Sequence, residues 1–238
     1  MKKIKSIEEL NQIIIENKSI VLISSLKQGV INLHLIKEEY NQAYKISFKK
    51  VLSSQFFYNQ PKIFFEYYKK YIFDNIYKNN FNYIYLKKLE IINKLKMIID
   101  FNIDGLYLKN GFTNVIQLYG NIHKNYCSKC HKEFSLNYIK EYVGTVRCDE
   151  CNGLVKPSIV LPNEIIDKSL LKTVLLAIEK ADLLFILDGP INVYPISDFI
   201  KVSKKTLLIT SSKTSKDILC DYIYYGDVFA IISKLNTL

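Results

Sequence analysis

Four of the five cysteines stand in two matched pairs, Cys127-Ser-Lys-Cys130 and Cys148-Asp-Glu-Cys151, with seventeen residues between them. Each pair is a short turn that offers two thiolates to one metal, and two such turns close a tetrahedron around zinc. Four thiolates leave no position for water, so such a site holds structure and performs no chemistry. A pair of disulfides is the competing reading. The chain opens Met1-Lys2-Lys3-Ile4 without an apolar leader, so a cytoplasmic location is expected, where thiols stay reduced. Cys220, alone between Leu219 and Asp221, reads as a buried small hydrophobe.

These ligands need a folded body to hold them. Hydrophobic residues at 49% and charged residues at 24% exclude intrinsic disorder. No apolar run reaches the roughly eighteen residues that cross a bilayer, so no membrane association is expected. At about 150 residues per domain, 238 residues fit one large domain carrying a small insert. A net charge of +10 raises the question of nucleic acid. The basic residues are nearly all lysines scattered along the chain, however, and nucleic-acid binding is not expected. Eight glycines are half or less of the usual ~7%, which leaves few for loops that cradle phosphate.

The elements alternate. Ser6-Ile7-Glu8-Glu9 is a capping box that opens a helix to about Asn17. Ile20–Ser24 is a short apolar run of buried-strand length. Pro61 starts an aromatic helix through Phe64, Phe65, Tyr67, Tyr68 and Tyr71, whose stripe reads as core packing rather than a base-stacking platform. A second helix over Tyr83–Leu95 precedes strands at Met97–Phe101 and Asn114–Tyr119. Beyond the cysteines come a strand at Ser158–Leu161 and an amphipathic helix at Ile165–Lys180. Strands at Leu183–Leu187 and Thr206–Ile209 flank a helix near Ile196–Val202. A strand at Tyr222–Tyr225 and a helix from Asp227 close the chain. Strands alternating with helices predict an α/β fold with a doubly wound parallel sheet, and ligands on such sheets sit beyond the strand carboxyl ends.

Several spaced motifs surround the cysteines: Asn102-Ile103-Asp104-Gly105-Leu106, Gln117-Leu118-Tyr119-Gly120, Gly153 to Glu164 with Pro157 and Val160, and Ala181-Asp182 through Val193 and Pro195. In this order they resemble the sirtuins, the NAD-dependent protein deacylases, whose corresponding segments are Asn-Ile-Asp, Glu-Leu-His-Gly, Phe-Gly-Glu and Val-x-Pro. The resemblance covers residues 90–238 well and residues 1–80 only by order of elements. It implies a Rossmann-like large domain in residues 1–45, 96–126 and 154–238. A helical insertion would occupy 46–95 and a small zinc module 127–153. NAD and an acyl-lysine peptide would lie in the cleft between domains, with Asn102 and Asp104 facing the ribose and the nicotinamide amide. An Asn-x-Asp turn that caps its own backbone is the plain structural alternative for these two residues.

The departures from the family pattern fall on its chemistry. Its glycine-rich phosphate loop is replaced by Ile23-Ser24-Ser25-Leu26-Lys27-Gln28, where Leu26 would bring a side chain toward the pyrophosphate. The general-base histidine falls on Tyr119, a phenol protonated at neutral pH; His123, four residues on, reads as surface packing. Gly-Thr-Ser-Leu becomes Asp188-Gly189-Pro190-Ile191, which removes two hydroxyls and adds a charge near the phosphates. Phe101 and Thr210 replace a glutamine and an asparagine, and Pro162-Asn163 replaces Phe-Gly. An intact zinc site beside a lost phosphate loop and base predicts a catalytically degenerate pseudoenzyme. It would bind NAD weakly or not at all and act through a protein partner in the cleft. The alternative is an active NAD-dependent protein deacylase or ADP-ribosyltransferase.

Overall fold

A computed structural model describes residues 1–26, 40–41, 46–76, 81–189, 191 and 194–237. Near the start, β1 (Lys2–Lys3) is followed by α1 (Ile7–Glu16), which Ser6 caps by accepting the Glu9 amide. The apolar β2 (Ile20–Ser24) comes next. Two short strands, β3 (Tyr40–Asn41) and β4 (Ile46–Ser47), pair antiparallel ahead of the helices α2 (Phe48–Val51), α3 (Ser54–Asn59) and α4 (Pro61–Asn75). Pro61 opens α4 at a first-turn position, where its missing N–H costs nothing. The aromatic stripe is core: Phe57, Phe64 and Phe65 meet edge to face at centroid distances of 5.2, 5.3 and 6.0 Å.

Next come α5 (Ile84–Ile91), β5 (Leu95–Asp100), α6 (Leu106–Lys109) and β6 (Val115–Gln117). The second helix therefore ends four residues before the limit expected from sequence. Asn93 turns left-handed at φ 56°, and Leu95 already belongs to the strand. The cysteine-bearing part holds β7 (Gly120–Cys127), β8 (Glu133–Ser135), α7 (Leu136–Glu141) and β9 (Val155–Ile159). After it run α8 (Lys168–Lys180), β10 (Leu183–Leu187), α9 (Ile196–Val202), β11 (Thr206–Thr210), β12 (Tyr222–Tyr225) and α10 (Val228–Leu235). Helix α8 starts later than its apolar pattern suggested, because Asp167 accepts the Ser169 and Leu170 amides and fixes the first turn.

Seven strands form one parallel sheet in the order β1-β12-β11-β10-β2-β5-β6. Alternation sorts their side chains to two faces. Ile20 and Leu22 join Leu183, Phe185 and Leu187 under α1, α5 and α10, while Val21 and Ile23 join Leu184 and Ile186 under α8, α9 and the helical insertion. The fold is thus doubly wound and Rossmann-like. The chain order reverses at β2, whose neighbours are β5 and β10, and that crevice is where a ligand sits on such a sheet.

The strand expected at 158–161 lies instead at 155–159 and pairs antiparallel with β7, in a separate three-stranded sheet ordered β8-β7-β9. Gly120 joins the two sheets. It adopts φ 82°, and a Cβ there would stand 2.2 Å from the Ser158 carbonyl oxygen, so only glycine lets the chains cross. Among the described residues no helix is long and apolar enough to cross a membrane.

Candidate functional site

The metal cluster forms at the tip of the small sheet. Sγ of Cys127, Cys130, Cys148 and Cys151 all lie within 4.8 Å of one another, with Cys127–Cys151 at 3.4 Å and Cys130–Cys148 at 3.6 Å. Sulfurs at the corners of a zinc tetrahedron with ~2.3 Å bonds sit about 3.8 Å apart, so the donor set fits that ion. Backbone bonds shape each turn: the His131 amide donates to Cys127 O and the Cys148 amide to Gly153 O. Lys132 bridges outward to Asp149 and Glu150 at 2.8 Å each. Gly153 is required by space, since a Cβ would meet Cys127 Sγ at 2.7 Å and Lys129 Cβ at 2.9 Å. Gly153→Ala is therefore expected to weaken zinc about 10–100-fold, read by competition with a chromogenic chelator; unchanged affinity would show that the turn relaxes freely.

At the sheet's crevice the carboxyl ends of β2, β5, β6 and β10 gather buried polar groups. Ser24 Oγ accepts the Tyr107 hydroxyl at 2.9 Å, and Ser25 donates its amide to Leu187 O. Asp100 Oδ1 accepts the Asn102 amide at 3.0 Å, while Asp104 Oδ1 accepts that of Leu106. Gln117 Oε1 accepts from Asn121 Nδ2 at 3.0 Å. Among the described residues, four atoms in this set have no hydrogen-bond partner: Ser25 Oγ, Asp100 Oδ2, Asn102 Oδ1 and Gln117 Nε2. Buried polar atoms are rarely left so, and their gathering at the switch point fits a polar ligand. Asp104 does cap a turn, as its structural alternative required, but Asn102 keeps its side-chain oxygen unspent.

One steric expectation changes. Leu26 does not enter the crevice: it continues the alternation of Leu22 and packs in the apolar layer with Leu10 and Leu187. Asp188, left-handed at φ 59° and buried, accepts the Thr210 hydroxyl at 3.1 Å. Two departures from the family pattern thus form one pair. Residues 27 and 28 of the replaced loop, and Pro190, lie outside the described residues.

Tyr119 is buried against Phe101, edge to face at 5.5 Å. Burial, helped by the Tyr194 phenol, pushes its hydroxyl up to about 12. His123 lies on the exposed side of β7 with Nε2 3.0 Å from the Asp104 carbonyl, so it braces that turn from outside. The segment after β9 is a closed turn. Val160 donates to Tyr119 O, Leu161 donates to Glu164 Oε2, Glu164 donates to Leu161 O, and Pro162 O accepts the Ser54 amide of α3. Buried Lys156 ties this turn to β9 through Glu164 at 3.1 Å and Ile159 O at 3.0 Å. Sequence reasoning missed Ser25, Asp100 and Gln117; each is a polar residue at or just beyond an apolar strand's carboxyl end, which is the signal that could have found them. Cys220 is buried, and burial pushes its thiol up to about 12, in keeping with a packing role.

The model of the Sir2 family matches residues 36–195. The NAD-dependent protein deacetylase of Clostridium perfringens is 34% identical over 96% of this chain and 98% of its own. Among solved structures, a His-to-Tyr mutant of Sir2 with a p53 peptide and NAD superposes with TM-score 0.80 at 25% identity, covering 98% of both chains. Sir2Tm bound to a propionylated peptide does so with TM-score 0.82 at the same identity and coverage.

Proposed function

The chain belongs to the Sir2 family, and from that footing we propose that it is an NAD-dependent protein deacylase with a slowed proton-transfer step. The observation that carries this reading is the buried set of unspent polar atoms, Ser25 Oγ, Asn102 Oδ1 and Gln117 Nε2, at the switch point. They suit a ligand with amide and ribose groups, and a near full-length relative is named for NAD-dependent deacetylation. The match fits this alternative better than the inert scaffold that the sequence departures suggested. Bound NAD supplies a nicotinamide–ribose bond that can break, and an acylated lysine amide supplies the attacking oxygen.

In this proposal Asn102 and Asp104 orient the nicotinamide end, and Asn102 Oδ1 accepts from its amide or a ribose hydroxyl. Ser25 and Gln117 meet the remaining polar edge. Tyr119 and Phe101 wall the reacting centre on one side. The Tyr119 phenol is protonated and donates rather than accepts, so loss of a ribose hydroxyl proton falls to solvent and is slow. Pairing of a peptide strand beside residues 160–164 is weak, because the donors of Val160, Leu161 and Glu164 are spent and Pro162 has none. Recognition then rests on the acyl-lysine side chain. The four cysteines hold structural zinc, and we place the edge of the zinc module after β9 and end the helical insertion that begins at residue 46 before α5, which packs under the large sheet.

A second reading, a scaffold without turnover, is favoured by the Tyr119 phenol alone. Calorimetric titration with NAD at low salt tests the proposal. Binding in the micromolar range, followed by nicotinamide release with an acetyl-lysine peptide, is expected. Heat with no nicotinamide release favours the scaffold. No heat up to millimolar NAD would overturn both deacylase and transferase.

A further inference from the structure

Among the described residues Lys156 is the one lysine or arginine that is buried, with 7% of its surface exposed. It stands on β9. Its Nζ donates to Glu164 Oε2 at 3.1 Å, Ile159 O at 3.0 Å and Pro157 O at 3.4 Å, and lies 6.0 Å from the centre of the Tyr126 ring on β7. Each of the three ammonium protons thus has an oxygen to meet. The carboxylate it holds shapes the turn that follows: Glu164 Oε2 also accepts the Leu161 amide at 2.9 Å, and the Glu164 amide donates to Leu161 O at 2.9 Å. Two further bonds tie this turn outward. The Val160 amide reaches Tyr119 O at 2.9 Å, and Pro162 O accepts the Ser54 amide of α3 at 3.1 Å. One buried cation therefore fixes a segment that touches the small sheet, the helical insertion and Tyr119. Apolar residues of similar volume often hold a fold as well as a buried ion pair or better, because both charges lose their hydration on burial.

We propose that Lys156 is a positioning residue for the acyl-lysine substrate: through Glu164 it sets the shape of the 161–164 turn and, through Val160, the place of the Tyr119 wall beside which the acylated side chain lies. The substrate in this statement rests on the deacylase reading above; the hold of Lys156 on the turn does not. The pair contributes a single geometry for the turn rather than net stability. Lys156 and Glu164 stand apart from the unspent polar atoms of Ser25, Asn102 and Gln117, so affinity for NAD does not depend on them. Since turnover is slow in this reading, the KM for an acyl peptide reports its binding, and that constant is the one the pair controls.

The test compares the zinc-loaded chain with Lys156→Met, which keeps most of the apolar stem and removes the charge, and Lys156→Arg, which restores the charge. Hydrogen exchange at the Val160 and Leu161 amides is read first, by NMR. It should quicken about tenfold in Lys156→Met, stay within about threefold of wild type in Lys156→Arg, and leave the amides of β10 as they were. With an acetyl-lysine peptide, Lys156→Met should raise the peptide KM about tenfold, while NAD affinity by calorimetry stays within about twofold of wild type. Lys156→Arg should recover most of that loss. A merely structural role would speed exchange throughout and weaken NAD and peptide together, and that result would overturn the positioning role, as would an unchanged peptide KM in Lys156→Met. Leu161 exchange that does not move would overturn the hold on the turn. Should Lys156→Met lose its zinc or its fold, Glu164→Gln, which keeps an acceptor for the Leu161 amide and drops the pairing charge, should raise the peptide KM about threefold at constant NAD affinity; no rise would overturn the proposal. A wild type that releases no nicotinamide would overturn the deacylase reading and the substrate role with it, while Leu161 exchange would still decide the turn.

Discussion

Tyr119→His is expected to raise the rate of NAD-dependent deacylation by about 10²–10⁴, the usual worth of a positioned general base. With its hydroxyl pushed up to about 12, only about 10⁻⁵ of the Tyr119 phenol is ionised at neutral pH. An imidazole near 6.5 would be mostly in its basic form. The gain should appear in turnover with little change in the KM for NAD, because the restored interaction belongs to the transition state. It should follow the imidazole's own titration, growing as pH rises through about 6.5. Stability should move the other way, by about 0.5–1.5 kcal/mol, since the edge-to-face contact with Phe101 is lost. Product formation at saturating NAD, followed by mass spectrometry, is the measurement. An unchanged rate in a variant that binds NAD would mean that the missing base is not the limiting defect.

Zinc removal should have the larger effect on structure. Structural Cys₄ sites of this kind supply on the order of 10–16 kcal/mol of apparent binding energy, most of which is folding energy. Cys148 is buried, and its backbone anchors the second turn through Gly153 and Asn152. Cys148→Ser, or chelation of the wild type, is expected to abolish zinc stoichiometry and unfold β7, β8 and β9, while the seven-stranded sheet stays folded. Near-ultraviolet dichroism reports the first through Tyr126 and Tyr138, and far-ultraviolet dichroism the second. Deacylation should be lost as well, because Tyr119 is held to the small sheet through the Val160 amide. Full retention of thermal stability without metal would refute the structural role.

Much of this was legible in the residues. The Ser6 cap, Pro61 at the head of α4, and the apolar runs of β2, β10 and β11 each announce themselves through local chemistry, and the cysteine spacing announces its own geometry. The partner of β9 was not legible, because Val155–Ile159 carries no mark that separates pairing with β7 from joining the large sheet. Leu26 misled for a related reason: a residue just past a strand end keeps the strand's alternation, so it faced the apolar layer rather than the crevice. Asp100 went unnoticed because a single acid after an apolar run ordinarily marks the solvent edge. Only the closing of α6 and the Asn102–Asp104 turn over it makes that acid buried.

The central place of β2 also sets the order in which the chain can become a protein. Its neighbour β10 is remote: the Ser19 amide bonds the Asp182 carboxylate across 163 residues. Closing so long a loop is slow, and parallel pairing rewards it only when both strands meet. The zinc-bearing sheet, by contrast, is built from contacts a few tens of residues apart, such as the 24 that separate Cys127 from Cys151. During synthesis the metal module can therefore close while β2 still presents an unpaired apolar edge. Until Leu183–Leu187 emerges, that edge is the chain's exposure to aggregation, and zinc bound early does nothing to shield it.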